Sequence, residues 1–228
     1  MNPLGYVLAR KNKTGQVDEQ VKAIAVVLRP EIGKPPNEAK AVPKYKAQLY
    51  THERTGIKTL EQIRGRLLGF GSSHSTSNFL VPAALLHTKG IHPLSAFKRV
   101  EFTGGHREAV LAVYKGELEV GAGHDGVIVD LAAVKEFKDA TKVLKTIEWS
   151  EEIPSDPVVM NAPDVARERI FEALVKVAAP NKPDSEGNAA VDSFWGTKQG
   201  FETILPDAYD VLFKSMALLN LEQKDLMK

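Results

Sequence analysis

The stretch Leu67-Leu68-Gly69-Phe70-Gly71-Ser72-Ser73-His74-Ser75-Thr76-Ser77-Asn78-Phe79-Leu80 decides how this chain is read. Residues 67–70 predict a short apolar strand, and the glycine- and serine-rich run after them predicts a loop. Beyond the loop, Phe79, Leu80, Ala83, Ala84 and Leu86 recur at helical spacing over roughly 76–89, and Gly90 stops the helix. Three hydroxyls, those of Ser75, Thr76 and Ser77, therefore stand at a helix start just past a strand. Backbone N–H groups there lack intrahelical acceptors and the helix dipole is positive, so hydroxyls and amides together suit a tetrahedral anion. Serine and threonine also cap helices that bind nothing, and spacing alone leaves both roles open.

The same strand–loop–helix alternation extends in both directions. Downstream, residues 97–102 predict a strand, Gly104-Gly105-His106 a turn, and 106–115 a helix that buries Ala109, Val110, Ala112 and Val113 and ends at Gly116. A strand at 118–122, a helix at 126–136 and a strand at 143–149 follow. Upstream, residues 23–28 read as a buried strand, 33–43 as a loop in which Pro35-Pro36 forbids helix, 45–51 as a strand, and the residues after Thr59 as a short helix. Toward the C-terminus, 153–160 reads as a linker entering a strand and 164–178 as a helix. A polar loop at 181–187 and helical pieces at 208–218 and 221–227 complete the pattern. Alternating elements predict an α/β architecture with a mainly parallel sheet. Ligands of such sheets sit at the carboxyl ends of the strands, which singles out the loops at 71–77 and 103–107.

Further side chains qualify on chemistry. His106 opens the helix of the neighbouring unit, where it can donate to the same anion or simply complete a polar turn. Tyr45 opens its strand and can either donate to a ligand or pack. Asp125 can meet a cationic group or cap the helix that follows it. Gly121-Ala122-Gly123-His124-Asp125-Gly126 spells Gly-x-Gly-x-x-Gly, but the strand before it is short and a glycine-rich turn accounts for it. The Gly-Lys-Ser/Thr ending of a P-loop is missing after Gly71. A hydrolase triad of Ser75, His106 and Asp125 lacks the Gly-x-Ser-x-Gly elbow. No histidine pair shows metal-ligand spacing on one helix, and Trp149 and Trp195 stand outside any aromatic pattern.

Composition narrows the classes. The 30 basic residues are balanced by 29 acidic ones, so no surplus exists to neutralise a nucleic-acid backbone. The absence of cysteine excludes disulfides, thiolate metal sites and cysteine nucleophiles. No apolar run reaches membrane-spanning length. Residues 1–9 do not read as a signal peptide, having neither a basic start nor a sustained apolar stretch.

Segments in sequence order carry a family resemblance: Pro3-Leu4-Gly5-Tyr6-Val7-Leu8-Ala9; residues 45–57 with 60–65; Ser75-Thr76-Ser77 with Leu80-Val81-Pro82; Phe102-Thr103-Gly104-Gly105-His106; and Ser150 with Ile153-Pro154 and Asp156-Pro157-Val158-Val159. Together they resemble the phosphate/phosphite/phosphonate-binding proteins of ABC transporters. The resemblance implies the two-lobed type II periplasmic binding fold, with 1–51 and 149–228 forming lobe one and 52–148 forming lobe two. It implies a non-catalytic receptor that binds a phosphorus oxyanion (phosphonate, phosphite or phosphate) between its lobes, works with transporter membrane subunits, and needs no metal or organic cofactor. By the same transfer Ser75, Thr76 and Ser77 hold the phosphorus oxygens, and His106 and Tyr45 donate to them. Asp156 reads an amino group, and Asp125 is a looser match for a similar duty. Ser72-Ser73 replace a frequent Asp-Pro, and Asn78 replaces the usual glycine. The family has a further βα segment and a signal peptide ahead of the region matched by residue 3. The resemblance therefore implies a periplasmic protein whose first lobe starts late, with an exposed sheet edge through which copies can pair. The rival reading is a truncated sensor or interaction module of the same fold that has left transport.

Overall fold

The computed structural model describes residues 1–10, 18, 21–32, 38–161, 164–177, 200–205 and 207–220. The expected loop at 181–187, the helical piece at 221–227 and Trp195 lie outside them. In chain order the elements are α1 (Pro3–Arg10), β1 (Val21–Val27), β2 (Arg29–Pro30), β3 (Ala41–Val42), β4 (Lys44–His52) and β5 (Leu67–Phe70). Then come α2 (Val81–Thr88), β6 (Arg99–Phe102), α3 (His106–Lys115), β7 (Val120–His124), α4 (Val127–Ala132), α5 (Ala140–Val143) and β8 (Leu144–Pro154). The last are β9 (Pro157–Asn161), α6 (Asp164–Val177), β10 (Phe201–Glu202) and α7 (Asp210–Leu218). Among the described residues no helix is long and apolar enough to cross a membrane.

The chain divides into two compact units, Met1–Tyr45 with Ile153–Val211, and Lys46–Glu152 with Leu212–Lys228. These divisions differ from 51/52 and 148/149 for a physical reason. β4 pairs with β7 through Ala47–Thr51 and lies beside β8, and the Ala47 amide donates to Ser150 Oγ at 2.9 Å. Most of both long strands is thereby committed to the second unit's sheet. Residues 212–220 also group with the second unit rather than with the first.

In the first unit, β1 lies between β10 and β9 and is antiparallel to both, with an irregularity between Ala23 and Ala25 in its pairing with β9. Helix α1 was not anticipated from patterning. It forms because Asn2 Oδ1 accepts from the Gly5 amide at 2.7 Å and Pro3 occupies the first helical turn. Leu4, Tyr6, Val7 and Leu8 are buried, and Tyr6 packs edge-on to Tyr209 at 5.0 Å.

The second unit holds a five-stranded sheet of order β6-β5-β7-β4-β8. β5 is parallel to β6 and β7, while β4 runs antiparallel to β7. Parallel pairing is thus concentrated in the strands joined through helices, since only a crossover of that kind brings a strand back in the same direction. Tyr50, Val110, Val113, Leu118, Val127 and Leu131 build the core beneath α3 and α4. Gly116, at φ 85°, closes α3 by donating to the Ala112 and Val113 carbonyls. The expected helix at 126–136 is α4 followed by a separate 3-10 turn at Lys135–Phe137, because Val134 between them is extended.

Two buried phenols make one consequence measurable. Tyr50 donates to the Ala122 carbonyl at 3.2 Å and Tyr209 to the Ser155 carbonyl at 2.7 Å. Burial pushes both hydroxyls far above the ordinary tyrosine range, with Asp156 adding to the rise at Tyr209. An unfolded tyrosine ionises near pH 10, whereas these stay protonated in the fold. Their contribution to stability is therefore complete below about pH 10 and is lost as pH rises. The expected slope is about 1.4 kcal/mol per pH unit for each group. Denaturant melts at pH 8, 10 and 11 check this, and Tyr50→Phe should flatten the decline.

Candidate functional site

The site is assembled where β5 and β6 end, within the second unit. The β5 strand delivers a buried Phe70 and then Gly71. The Thr103 amide and hydroxyl both donate to the Phe70 carbonyl, at 2.9 and 3.1 Å, and the Gly104 amide donates to the Gly71 carbonyl at 2.8 Å. These bonds hold the loop after β6 against the loop after β5, and so bring His106 beside Ser75.

Ser75 has extended backbone and caps the helix, its Oγ accepting from the Asn78 amide at 3.1 Å. The first turn, Thr76–Leu80, is a π-turn: the Leu80 amide bonds the Ser75 carbonyl at 3.1 Å and the Val81 amide bonds the Thr76 carbonyl. Pro82 gives the reason. It has no N–H to offer the preceding turn and its ring crowds the carbonyl four residues back, and a wider turn relieves both problems. Ser75 is half-buried, whereas Thr76 and Ser77 are buried at 2% and 4% exposure. The accessible hydroxyl of the trio is therefore that of Ser75.

His106 is half-buried at the start of α3. Its Nε2 lies 3.4 Å from Ser75 Oγ and its Nδ1 lies 2.9 Å from Asn78 Nδ2. With the amide nitrogen toward Nδ1, the ring carries its proton on Nε2 and offers it toward Ser75 and solvent. Turning the amide over would present its oxygen instead, and the proton would then sit on Nδ1. Asn78 is fully buried and Gly71 leaves it the room: a Cβ on Gly71 would stand 2.4 Å from Asn78 Oδ1.

The neighbouring strand end adds a second histidine that motif reading had set aside. His124 packs edge-on to His106 at 4.8 Å between ring centroids. Its Nδ1 accepts from the Gly126 amide at 3.1 Å, which leaves Nε2–H to face Asp130 Oδ2 at 3.4 Å. The available signal was its position as the last residue of a parallel strand, where the carboxyl-end rule applies.

Asp125 does not cap α4. Its Oδ2 accepts from the Lys46 amide at 3.2 Å and its own amide donates to the Lys46 carbonyl, so it finishes the β4–β7 ladder. Tyr45 and Asp156 belong to the first unit. Tyr45 is buried with the Arg29 guanidinium 4.4 Å from its ring centre, a packing arrangement. The Asp156 carbonyl accepts from the Val27 amide at 3.0 Å, and its charge, with Tyr45 and Tyr6, acts on the Tyr209 phenol. The structure thus brings Ser75, Thr76, Ser77 and His106 together and sets Asp125 at the adjacent strand end.

Residues 1–209 match a family described as the phosphonate periplasmic substrate-binding protein of ABC transporters. The chain belongs to this family. Solved structures agree on the fold of these binding proteins. PhnD1 of Prochlorococcus marinus, solved with methylphosphonate, superposes with a TM-score of 0.65 at 15% identity, covering 96% of this chain and 84% of that one. A binding-protein component of an ABC phosphonate transporter from Pseudomonas aeruginosa gives 0.64 at 19% identity, covering 86% and 62%. A Xanthomonas citri protein solved with ATP gives 0.64 at 16% identity, covering 99% and 94%. At such identities the likeness carries the fold alone, which is the type II periplasmic binding fold. The phosphonate-binding family consists of receptors rather than enzymes.

Proposed function

We propose that this chain is the solute receptor of an ABC importer, that it captures a phosphonate at Ser75, Thr76, Ser77 and His106, and that it hands the ligand to the transporter's membrane subunits from the periplasm. The observation that carries the reading is the convergence of Ser75 Oγ and His106 Nε2, 3.4 Å apart, at the start of a helix fed by a parallel strand. Both are donors to an oxyanion, and the helix start adds a favourable dipole. The solved relative holding methylphosphonate shares the fold that presents these residues. Thr76 and Ser77, buried beneath Ser75, would meet the oxygens after a small adjustment of the first turn. Asp125, at the adjacent strand end of the same unit, is assigned to an outer contact of the ligand.

Four or five charge-assisted hydrogen bonds, less the cost of ordering, give an affinity on the order of micromolar. Isothermal calorimetry with methylphosphonate, aminoethylphosphonate, phosphite, phosphate and sulfate tests this. Saturable heat for a phosphorus species, with none for sulfate and no turnover, is the expected outcome. Silence across the panel would overturn the receptor reading and leave the non-transport module of the same fold.

A further inference from the structure

Beside the hydroxyl cluster, on the second unit, a cavity of ≈ 210 Å³ opens between α3 and α4. At roughly 30 Å³ per water, this is about seven water volumes. It is too large to be a packing defect and too small for a drug-sized guest. Its floor is apolar: Val110, Val127 and Leu131 are each 3% exposed or less and belong to the unit's core, and Val134 completes it. His106 and His124 form its wall. His106 is thus common to both places, touching Ser75 through Nε2 while one side of its ring borders the cavity. Arg107 and Asp130 stand at the lining with opposite charges, and Asp130 faces His124 at 3.4 Å, so the lining has no net charge to select another ion.

A space with an apolar floor, adjoining a group that binds oxyanions, suits the carbon side of a molecule whose other side is the oxyanion. We infer that this cavity seats the organic substituent on phosphorus, and that the preferred ligand is an organophosphonate bearing an apolar group of several carbons. Phosphite, phosphate and methylphosphonate would fill the anion site and leave the cavity to water. The inference rests on the phosphonate reading above and adds the class of substituent to it. The floor is made of core side chains, so it does not collapse when unoccupied, and the part of a substituent that rests on it leaves water.

The test is a calorimetric series on the full chain with phosphite, methylphosphonate, propylphosphonate and phenylphosphonate. Burial of a methylene is worth about a fourfold gain in affinity. Propylphosphonate is therefore expected to bind roughly tenfold or more tighter than methylphosphonate. Val134→Phe, at a half-buried position on the lining, fills part of the space and should bring the propyl-to-methyl ratio toward one. Equal affinities across the wild-type series would overturn the cavity assignment and leave the anion site standing. So would a preference that survives Val134→Phe in a variant that melts normally. No binding by any member would overturn the parent reading as well.

Discussion

Ser75→Ala is expected to weaken methylphosphonate binding by about 10- to 150-fold, the worth of one hydrogen bond to a charged group. Two functions leave together in this variant. The side chain is the hydroxyl that faces His106, and it also accepts from the Asn78 amide to cap the helix. Losing the cap costs about 1 kcal/mol of stability, or roughly 2–4 °C in a protein of this size. Calorimetry and a thermal melt on the same preparation separate the two losses. Ser75→Thr keeps an oxygen in place and should recover most of the melting temperature and part of the affinity. An alanine variant that binds methylphosphonate like the wild type would remove Ser75 from the site.

Gly71→Ala is expected to damage the site without touching any ligand-facing group. The new methyl would lie 2.4 Å from Asn78 Oδ1, 2.5 Å from its Cγ and 2.7 Å from its Nδ2. Asn78 has nowhere to retreat, since it is 0% exposed and its Nδ2 sits 2.9 Å from His106 Nδ1. Overpacking of this kind costs about 1–3 kcal/mol. His106 would also lose the partner that fixes its ring, so phosphonate affinity should fall by about tenfold or more, the factor that 1.4 kcal/mol represents. The informative companion is the double variant Gly71→Ala/Asn78→Gly, which removes the obstacle. Its denaturation midpoint should rise above that of the single variant, although the orphaned His106 keeps affinity low. If the double variant is no more stable than the single one, the steric account of Gly71 is wrong.

The parts of the fold that could be read from the chain are those fixed by local signals. The loop after Phe70 and the helix ended by Gly116 follow from glycine chemistry and a 3.6-residue period, and both stand where patterning put them. Pairing direction was not local information. Nothing in 45–51 says that the strand will run antiparallel to one assembled 70 residues later, and that partnership also moved the division between the units. Helix α1 escaped for another reason. Its signals, Asn2 and Pro3, lie at the extreme start, ahead of any periodicity long enough to confirm them. In the site, residue types proposed Ser75 and His106, and the structure supplied their distance. His124 stayed hidden because it stands at a variable position of a glycine-rich turn; its place depends on where a strand happens to stop. Asn78 looked like a mere departure from glycine, and its meaning appears only when Gly71 is seen to yield the space.

The widened first turn at Thr76–Leu80 behaves like an α-helix into which one extra residue has been spliced. Removing a single residue there should let the chain close into ordinary α-geometry with its downstream apolar stripe intact, yet each hydroxyl upstream would swing about 100° around the axis. A shortened relative of this kind would be hard to tell apart by content of secondary structure, and it would be deaf to the solute.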